Sequence, residues 1–491
     1  MKTPAYLAFD LGAESGRTVL GWLEDGRLNI KELNRFPNGM VSIRGHLYWN
    51  IFHLFEEMKK GMKLCVSEGE ARPESIAVDT WGVDFGLLAP DGTILGLPYA
   101  YRDSRTEGAM EELFKKITRE RIYQLTGIQF VQLNTLFQLF AMKRDQPQLL
   151  DFASDLLFIP DIFNYLMTGE KKTEFTFATT SQLYNPRKKE WEDELFEALG
   201  VSSSIMQEII PPGTIMGKLD RKICQETGLD QVPVCAVASH DTGSAVAAVP
   251  AESEGWAYIS SGTWSLMGIE TKDPIINDQT LDLNFTNEGG VEGTFRFLKN
   301  ITGLWLLQEC RRAWAGERNY GYDELIDAAK SASSFRSIIQ PDWKGFLNPE
   351  DMPLAVREFC QKTGQPVPDS PADYVRSILE SLALKYRLVL DQLKKIYPHP
   401  IHRVHIIGGG AQNRLLCQFT ANATGLPVIA GPVEATAIGN IMVQALSLGF
   451  IDSDKDMREI IKESFELVKY KPEKTPEWES AYERFQNITG A

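Results

Sequence analysis

Ala5-Tyr6-Leu7-Ala8-Phe9-Asp10-Leu11-Gly12-Ala13-Glu14-Ser15-Gly16-Arg17 reads as a hydrophobic strand that ends on a carboxylate and turns through small residues into a second strand. Such a turn suits a phosphate, because glycines and Ser15 let backbone N–H groups approach an anion closely. Asp10, at the strand end, is positioned to hold a divalent metal through water. A second copy raises the pattern above chance: Trp256-Ala257-Tyr258-Ile259-Ser260-Ser261-Gly262-Thr263-Trp264-Ser265-Leu266 repeats strand, small-residue turn and strand about halfway along the chain. The pair predicts a nucleotide clamped between two related domains.

The chain's 491 residues suffice for two full cores, since single cores seldom grow past roughly 250 to 300 residues. The net charge of -15 argues against nucleic acid or an anionic membrane as the main partner. It leaves ATP open, because local backbone groups and a metal build a phosphate site. No apolar run reaches the length of a membrane span, and Met1-Lys2-Thr3-Pro4 leads straight into a strand without a signal-peptide pattern, so a cytoplasmic protein is expected. The six cysteines are scattered without a C-x-x-C pair, which predicts reduced, mostly buried thiols.

Working outward, Thr18 to Leu23 and Leu28 to Leu33 read as strands around an Asp25-Gly26 hairpin turn. Ile51, Leu54, Phe55, Met58 and Met62 recur at helical spacing, and Ser75 to Asp79 returns as a strand. Three hairpin strands, a helix, then strands alternating with helices is the order of a ribonuclease H-like or actin-like ATPase domain. The expected fold is therefore α/β, with two such domains and a cleft between them. Pro250 to Gly255 is the expected junction, giving domains 1–250 and 251–491. In the second half, Pro371 to Ile396 reads as a long amphipathic helix and Arg403 to Ile407 as a strand leading to Gly408-Gly409-Gly410. Glu434 to Leu448 reads as a last core helix, and the charged segment after Asp452 as a peripheral one.

Val232 to Ala238 is a buried strand running into Ser239-His240-Asp241-Thr242-Gly243, and the residues after Asp241 are too small to cover it. A carboxylate there can accept the proton of an attacking hydroxyl. It can also be a helix N-cap. Asp79-Thr80-Trp81-Gly82-Val83-Asp84-Phe85-Gly86 sets polar groups beside an aromatic and two glycines, a kit for binding a polyol, although a core Trp in a turn explains it as well. Tyr101-Arg102-Asp103-Ser104-Arg105-Thr106 can hold a sugar hydroxyl or be an ion-paired helix start. The triple glycine lets backbone lie flat against an adenine or a phosphate, or serves only as a tight strand-to-helix turn. His402 and His405 fall on opposite faces of a strand, which argues against a metal site with His399. No Walker A sequence is present, so a P-loop kinase is excluded.

Taken together, DLGAESGR (10–17), RFPNG (35–39), DTWGVDFGLL (79–88), YRDSRT (101–106), SHDTGSAV (239–246), SSGTWSL (260–266), FLKNITGLWLLQE (297–309) and GGGAQN (408–413) resemble the FGGY carbohydrate kinase family over nearly the whole chain. The RFPNG, TWGVDF and NITGLWLLQ stretches point within it to kinases of L-rhamnulose rather than of glycerol, xylulose or gluconate. The resemblance implies ATP-dependent transfer to the 1-hydroxyl of L-rhamnulose, with L-fuculose or L-xylulose as alternative ketoses and a non-catalytic sugar and ATP sensor as a competing class. By motif, Asp241 resembles the proton acceptor, and Gly82, His240 and Thr242 resemble sugar-site residues, with Trp81 and Arg102 beside them. Ala13, Glu14, Ser15, Gly16, Arg17, Thr263, Asn300, Gln308, Gly409 and Gly410 resemble the nucleotide site, and Asp10 lies near the Mg2+. Glu14 departs from the small polar residue expected there, so it points away or helps order the metal. The literal Phe-Gly-Gly-Tyr string is absent. Expected partners are small molecules alone, with the chain a monomer or small homo-oligomer.

Overall fold

The computed structural model of the chain describes residues 3–69, 71–252, 254–473 and 475–490. Its first strand, Ala5–Leu11, is buried at every position. Antiparallel Ser15–Glu24 flanks it on one side and parallel Ser75–Thr80 on the other, with Asp10 in register with Asp79. The full order of this sheet is Thr214–Lys218, Pro233–Ala236, Ser75–Thr80, Ala5–Leu11, Ser15–Glu24, Arg27–Pro37. Asp25 and Gly26 both take positive φ, 51° and 75°, as a tight hairpin turn between right-twisted strands requires. Helix Ile51–Glu68 buries Ile51, Leu54, Met58, Met62 and Cys65 on the sheet's core, and Asn50 caps it by accepting from His53 N.

The second sequence copy folds to the same plan. Trp256–Ser261 lies between antiparallel Trp264–Thr271 and parallel Arg403–Ile407, followed by Val428–Ala430 and antiparallel Val468–Tyr470. The long helix runs Pro371–Ile396 as its spacing predicts, opened by Pro371 and by reciprocal hydrogen bonds between Ser370 and Asp373. Past Asp452 the chain makes helix Asp454–Ser464, strand Val468–Tyr470 and helix Pro476–Thr489, two helices and a strand where one helix was expected.

The chain forms two compact units. One comprises 1–252, 270–297 and 435–464; the other comprises 253–269, 298–434 and 465–491. Helix Ala435–Ser447, read from the sequence as the last core helix of the second half, thus belongs to the first unit. The reason is local: Gly439 lies against the Ser244 backbone so closely that a Cβ would sit 2.6 Å from the Ser244 carbonyl carbon. Its polar side chains serve the first sheet as well, since Gln444 Nε2 donates to Leu7 O and Asn440 Nδ2 donates to Asp79 Oδ2 at 2.6 Å. All six thiols are free, five of them buried. Among the described residues no helix is long and apolar enough to cross a membrane.

Candidate active site

In the first unit the turn after Asp10 is held open by its own backbone, with Gly12 N donating to Ser15 O at 3.0 Å. Asn38, from the RFPNG stretch, braces it by donating from Nδ2 to Gly12 O and from its backbone N to Glu14 O. Gly16 is required because a Cβ there would press on the Phe36 ring. Glu14 is exposed. Arg17 donates from Nε and Nη2 to one oxygen of Asp10, Oδ2, at 2.9 and 2.6 Å.

Asp79, in register beside Asp10, is fully buried and its Oδ1 has no hydrogen-bond partner. Burial pushes its carboxyl well above the usual carboxylate range, and the charge of Asp10 adds to the rise. Asp241 opens helix Asp241–Ala247, but as the first helical residue rather than the cap, which is His240. Its Oδ1 accepts from Thr242 N at 2.6 Å and Thr242 Oγ1 at 3.2 Å, while none of the described residues donates to Oδ2. The side chain is 30% exposed, enough for a ligand to reach that oxygen. Desolvation and the charge of Asp10 raise the Asp241 carboxyl. Three carboxylates therefore feel one another, a field that a bound cation and a proton-donating ligand would relieve.

Sequence-expected sugar residues converge here. Thr80 pairs with His240 as a short parallel bridge, with Thr80 N donating to Ser239 O, and this brings Gly82 under the imidazole. A Cβ on Gly82 would sit 3.2 Å from His240 Nε2, and that nitrogen lies 3.5 Å from Asp241 Oδ1. Trp81, by contrast, is 4% exposed and its indole N–H donates to Asp84, so the core reading of this tryptophan wins and it can offer a ligand only its rim. Asp84, which the sequence did not single out, also accepts from Trp49 Nε1, Tyr101 N and Gln138 Nε2. Burial pushes it up to about 6. Asp103 and Arg105 have structural jobs: Asp103 accepts from Leu47 N and Arg105 N, and Arg105 binds Gln138. Arg102 lies with its guanidinium 5.3 Å from the centre of the Tyr101 ring.

The approach to His240 and Asp241 is anchored from below by Glu174. It accepts from Thr176 N, Thr176 Oγ1, Phe177 N and Ser239 N, and Thr176 Oγ1 in turn accepts from His240 N. Burial nevertheless raises the Glu174 carboxyl from 4.5 to about 7. The folded chain thus holds a proton that the unfolded chain releases between those values, so stability contributed by this group falls as pH rises from about 4.5 to about 7. We expect the urea midpoint to be lower at pH 8 than at pH 5, and Glu174→Gln to flatten that difference measurably; an unchanged pH dependence in the variant would contradict this assignment.

In the second unit the copy of the turn gathers the other candidates. Leu304 N donates to Gly262 O, and Gly303 N and Trp305 N donate to Thr263 O, docking the start of helix Trp305–Trp314 on the turn; Asn300 lies on the preceding strand, Phe295–Thr302. Gln308, one turn into that helix, keeps a buried Oε1 with no hydrogen-bond partner. Gly410 packs on Ser261, where a Cβ would come within 2.5 Å of the Ser261 Cβ, while Gly409 has nothing within 4 Å of its Cβ position. The unused Gln308 acceptor suits a ligand donor such as the exocyclic amino group of an adenine or a ribose hydroxyl, and the open backbone at Gly409 leaves room beside it.

Residues 5–248 match the N-terminal domain of the FGGY family of carbohydrate kinases, and residues 257–448 match the C-terminal domain. The chain belongs to the FGGY family of carbohydrate kinases. Among FGGY relatives, a rhamnulokinase of Bacteroides thetaiotaomicron is 50% identical over 482 residues, covering 98% of this chain and 99% of the relative. A rhamnulokinase of Oceanobacillus iheyensis is 43% identical over 464 residues, 94% of this chain and 97% of its own. In fold, the chain is similar to a gluconate kinase from Lactobacillus acidophilus, with TM-score 0.80 at 14% identity over 99% of this chain and 97% of that one. It is similar also to Plasmodium falciparum glycerol kinase with ADP, with TM-score 0.78 at 14% identity over 100% and 98%. The expected α/β, two-domain actin-like architecture is thus borne out, as is carbohydrate kinase membership.

What the sequence missed in this FGGY site is a set of buried polar residues: Asp84, Glu174, Glu288, Arg296 and Asn440. Asp84 lies inside a quoted motif and Glu174 bonds Thr176 and Phe177 close by, but the partners that tie these residues into the site lie far along the chain: Trp49 and Gln138 for Asp84, Ser239 for Glu174, His240 for Arg296 and Asp79 for Asn440.

Proposed function

We propose that the chain transfers the terminal phosphoryl group of ATP to the 1-hydroxyl of L-rhamnulose, giving L-rhamnulose 1-phosphate and ADP. The observation that carries this reading is the 50% identity, end to end, with a protein named rhamnulokinase, and the carboxylate of Asp241 beside His240 and Gly82 supports it. In this reading the 1-hydroxyl oxygen attacks the phosphorus, the bond from phosphorus to the ADP oxygen breaks, and the hydroxyl proton passes to Asp241 Oδ2. Thr242 keeps Oδ1 occupied and so aims Oδ2 at the substrate. The transition state of such transfers is loose, so Asp241 need not be a strong base, and alignment of the hydroxyl supplies much of the rate.

Gly82, His240, Thr242 and Arg102 hold the sugar in this proposal, with Trp81 behind them. Backbone N–H groups of Ala13 to Arg17 hold phosphate, and Thr263, Asn300, Gln308, Gly409 and Gly410 hold the rest of the nucleotide. Mg2+ fits the acidic end of the first strand: Arg17 bonds Asp10 through Oδ2, and Asp79 Oδ1 is an orphaned buried acceptor. Among the described residues no three ligating side chains converge into a cage, which suits an ion that keeps several waters and takes its other ligands from phosphates. When bound, the ion would neutralise charge on the phosphoryl oxygens. The reading includes a cytoplasmic monomer or small homo-oligomer.

The product tests the chemistry directly. After incubation with Mg-ATP and L-rhamnulose, phosphorus-proton coupling in the NMR spectrum should connect the new phosphate to the C1 protons. Coupling to any other carbon's proton would overturn the assignment of the acceptor hydroxyl.

A further inference from the structure

Behind the candidate sugar site lies a buried charged pair with no counterpart in the family motifs quoted above. Arg296, on strand Phe295–Thr302, is 0% exposed, and Glu288, on strand Thr286–Gly289, is 4% exposed. The guanidinium donates from Nε to Gly289 O at 2.8 Å, and its Nη2 lies 3.3 Å from Glu288 Oε2. The same Nη2 reaches His240 Nδ1 at 3.1 Å; Glu288 Oε2 also lies 3.3 Å from that Nδ1, in a contact that is not a hydrogen bond, and Arg296 Nη1 has no hydrogen-bond partner.

A guanidinium has only donors and stays charged, so the ring nitrogen it meets must offer a lone pair. A neutral imidazole with its lone pair on Nδ1 carries its proton on Nε2. That nitrogen is the one beside Asp241 Oδ1 and above Gly82. We propose that the Glu288–Arg296 pair positions His240 as its Nε2–H tautomer, turning a ring N–H toward an acceptor oxygen of the sugar. This rests on the reading of His240 as a sugar-site residue.

Packing alone does not account for the pair. A buried ion pair is often no more stabilising than apolar residues of the same volume, and here one guanidinium nitrogen finds no hydrogen-bond partner at all. A ketose, on the other hand, carries at C2, next to the hydroxyl to be phosphorylated, an oxygen that a fixed N–H can hold. The opposite tautomer would present a lone pair to that oxygen and leave it unheld. Arg296 and Glu288 are accordingly positioning residues, acting through His240.

The test uses the full-length protein labelled with 15N at histidine, whose six histidines include His240, assigned by its loss in His240→Asn. The wild type should show an unprotonated-type nitrogen at Nδ1 and a protonated-type nitrogen at Nε2. Arg296→Met should erase that preference and raise KM for the ketose about tenfold, the effect of one lost hydrogen bond to a held ligand, with KM for ATP unchanged. Arg296→Lys, which keeps the buried charge and a donor, should recover part of the sugar affinity, and gives the comparison if Arg296→Met does not accumulate. A proton on Nδ1 in the wild type, or Arg296 variants that leave tautomer and sugar KM unmoved, would overturn the proposal. Failure of the underlying reading looks different: the tautomer shifts as expected, but His240→Ala leaves the sugar KM unchanged, which removes the device's purpose.

Discussion

Asp241→Asn should lower kcat by about 10²- to 10⁴-fold, the usual worth of a positioned general base. Asparagine keeps the shape of the side chain, and its carbonyl oxygen can still accept from Thr242 N and Oγ1, as Oδ1 does now. What disappears is the oxygen that takes the hydroxyl proton. Stability should not fall with activity, because desolvation and the charge of Asp10 both disfavour the ionised carboxylate here, and the amide relieves that strain. The measurement is single-turnover phosphoryl transfer alongside a thermal melt. A variant with unchanged melting temperature and a rate within tenfold of wild type would contradict the proton-acceptor role; a loss of rate that merely tracks a loss of fold would not support it.

Gly439→Val should be the most damaging single apolar substitution in the first unit. Helix Ala435–Ser447 approaches helix Asp241–Ala247 backbone to backbone, with Gly439 directly over the Ser244 carbonyl, where neither side can yield by turning a side chain. Overpacking of a close-packed core costs about 1–3 kcal/mol, occasionally more, and a clash with backbone belongs at the upper end. Asp241 is the first residue of one helix, and Asn440, next to Gly439 on the other, holds Asp79. A shift between them should therefore reduce kcat as well as the urea midpoint. Gly316→Ala, where nothing lies within 4 Å of the new methyl, should be near neutral in the same assay. Equal midpoints for the two variants would contradict the close-approach account.

Much of the fold was legible because two features repeat: a strand ending in a small-residue turn at Asp10 and again at Ser261. Each turned out to be a central strand with an antiparallel partner on one side and a parallel one on the other. The helix at Ala435–Ser447 was legible as a buried helix but not by destination, since periodicity reports that a face is covered and not what covers it. Its clues were polar: Asn440 and Gln444 sit fully buried, and they are explained only by acceptors on the first sheet. The candidate site was legible where short runs carry its atoms, as in His240-Asp241-Thr242. It was not legible in the bond from Trp49 to Asp84, which spans 35 residues, or in that from Arg296 to His240, which spans 56. Trp81 shows the limit of composition: the same Asp-Thr-Trp-Gly string suits a sugar wall or a core turn, and the bond from its indole N–H to Asp84 decides for the core.

The central claim is that this FGGY protein phosphorylates L-rhamnulose. The direct measurement is ADP release from Mg-ATP, coupled to a spectrophotometric readout, across a panel of ketoses and polyols, with phosphate release followed in the absence of sugar. The account predicts the highest kcat/KM for L-rhamnulose, lower values for L-fuculose and L-xylulose, and little ADP release without sugar. A higher kcat/KM for another sugar, or no sugar-dependent ADP release from folded protein, would contradict it.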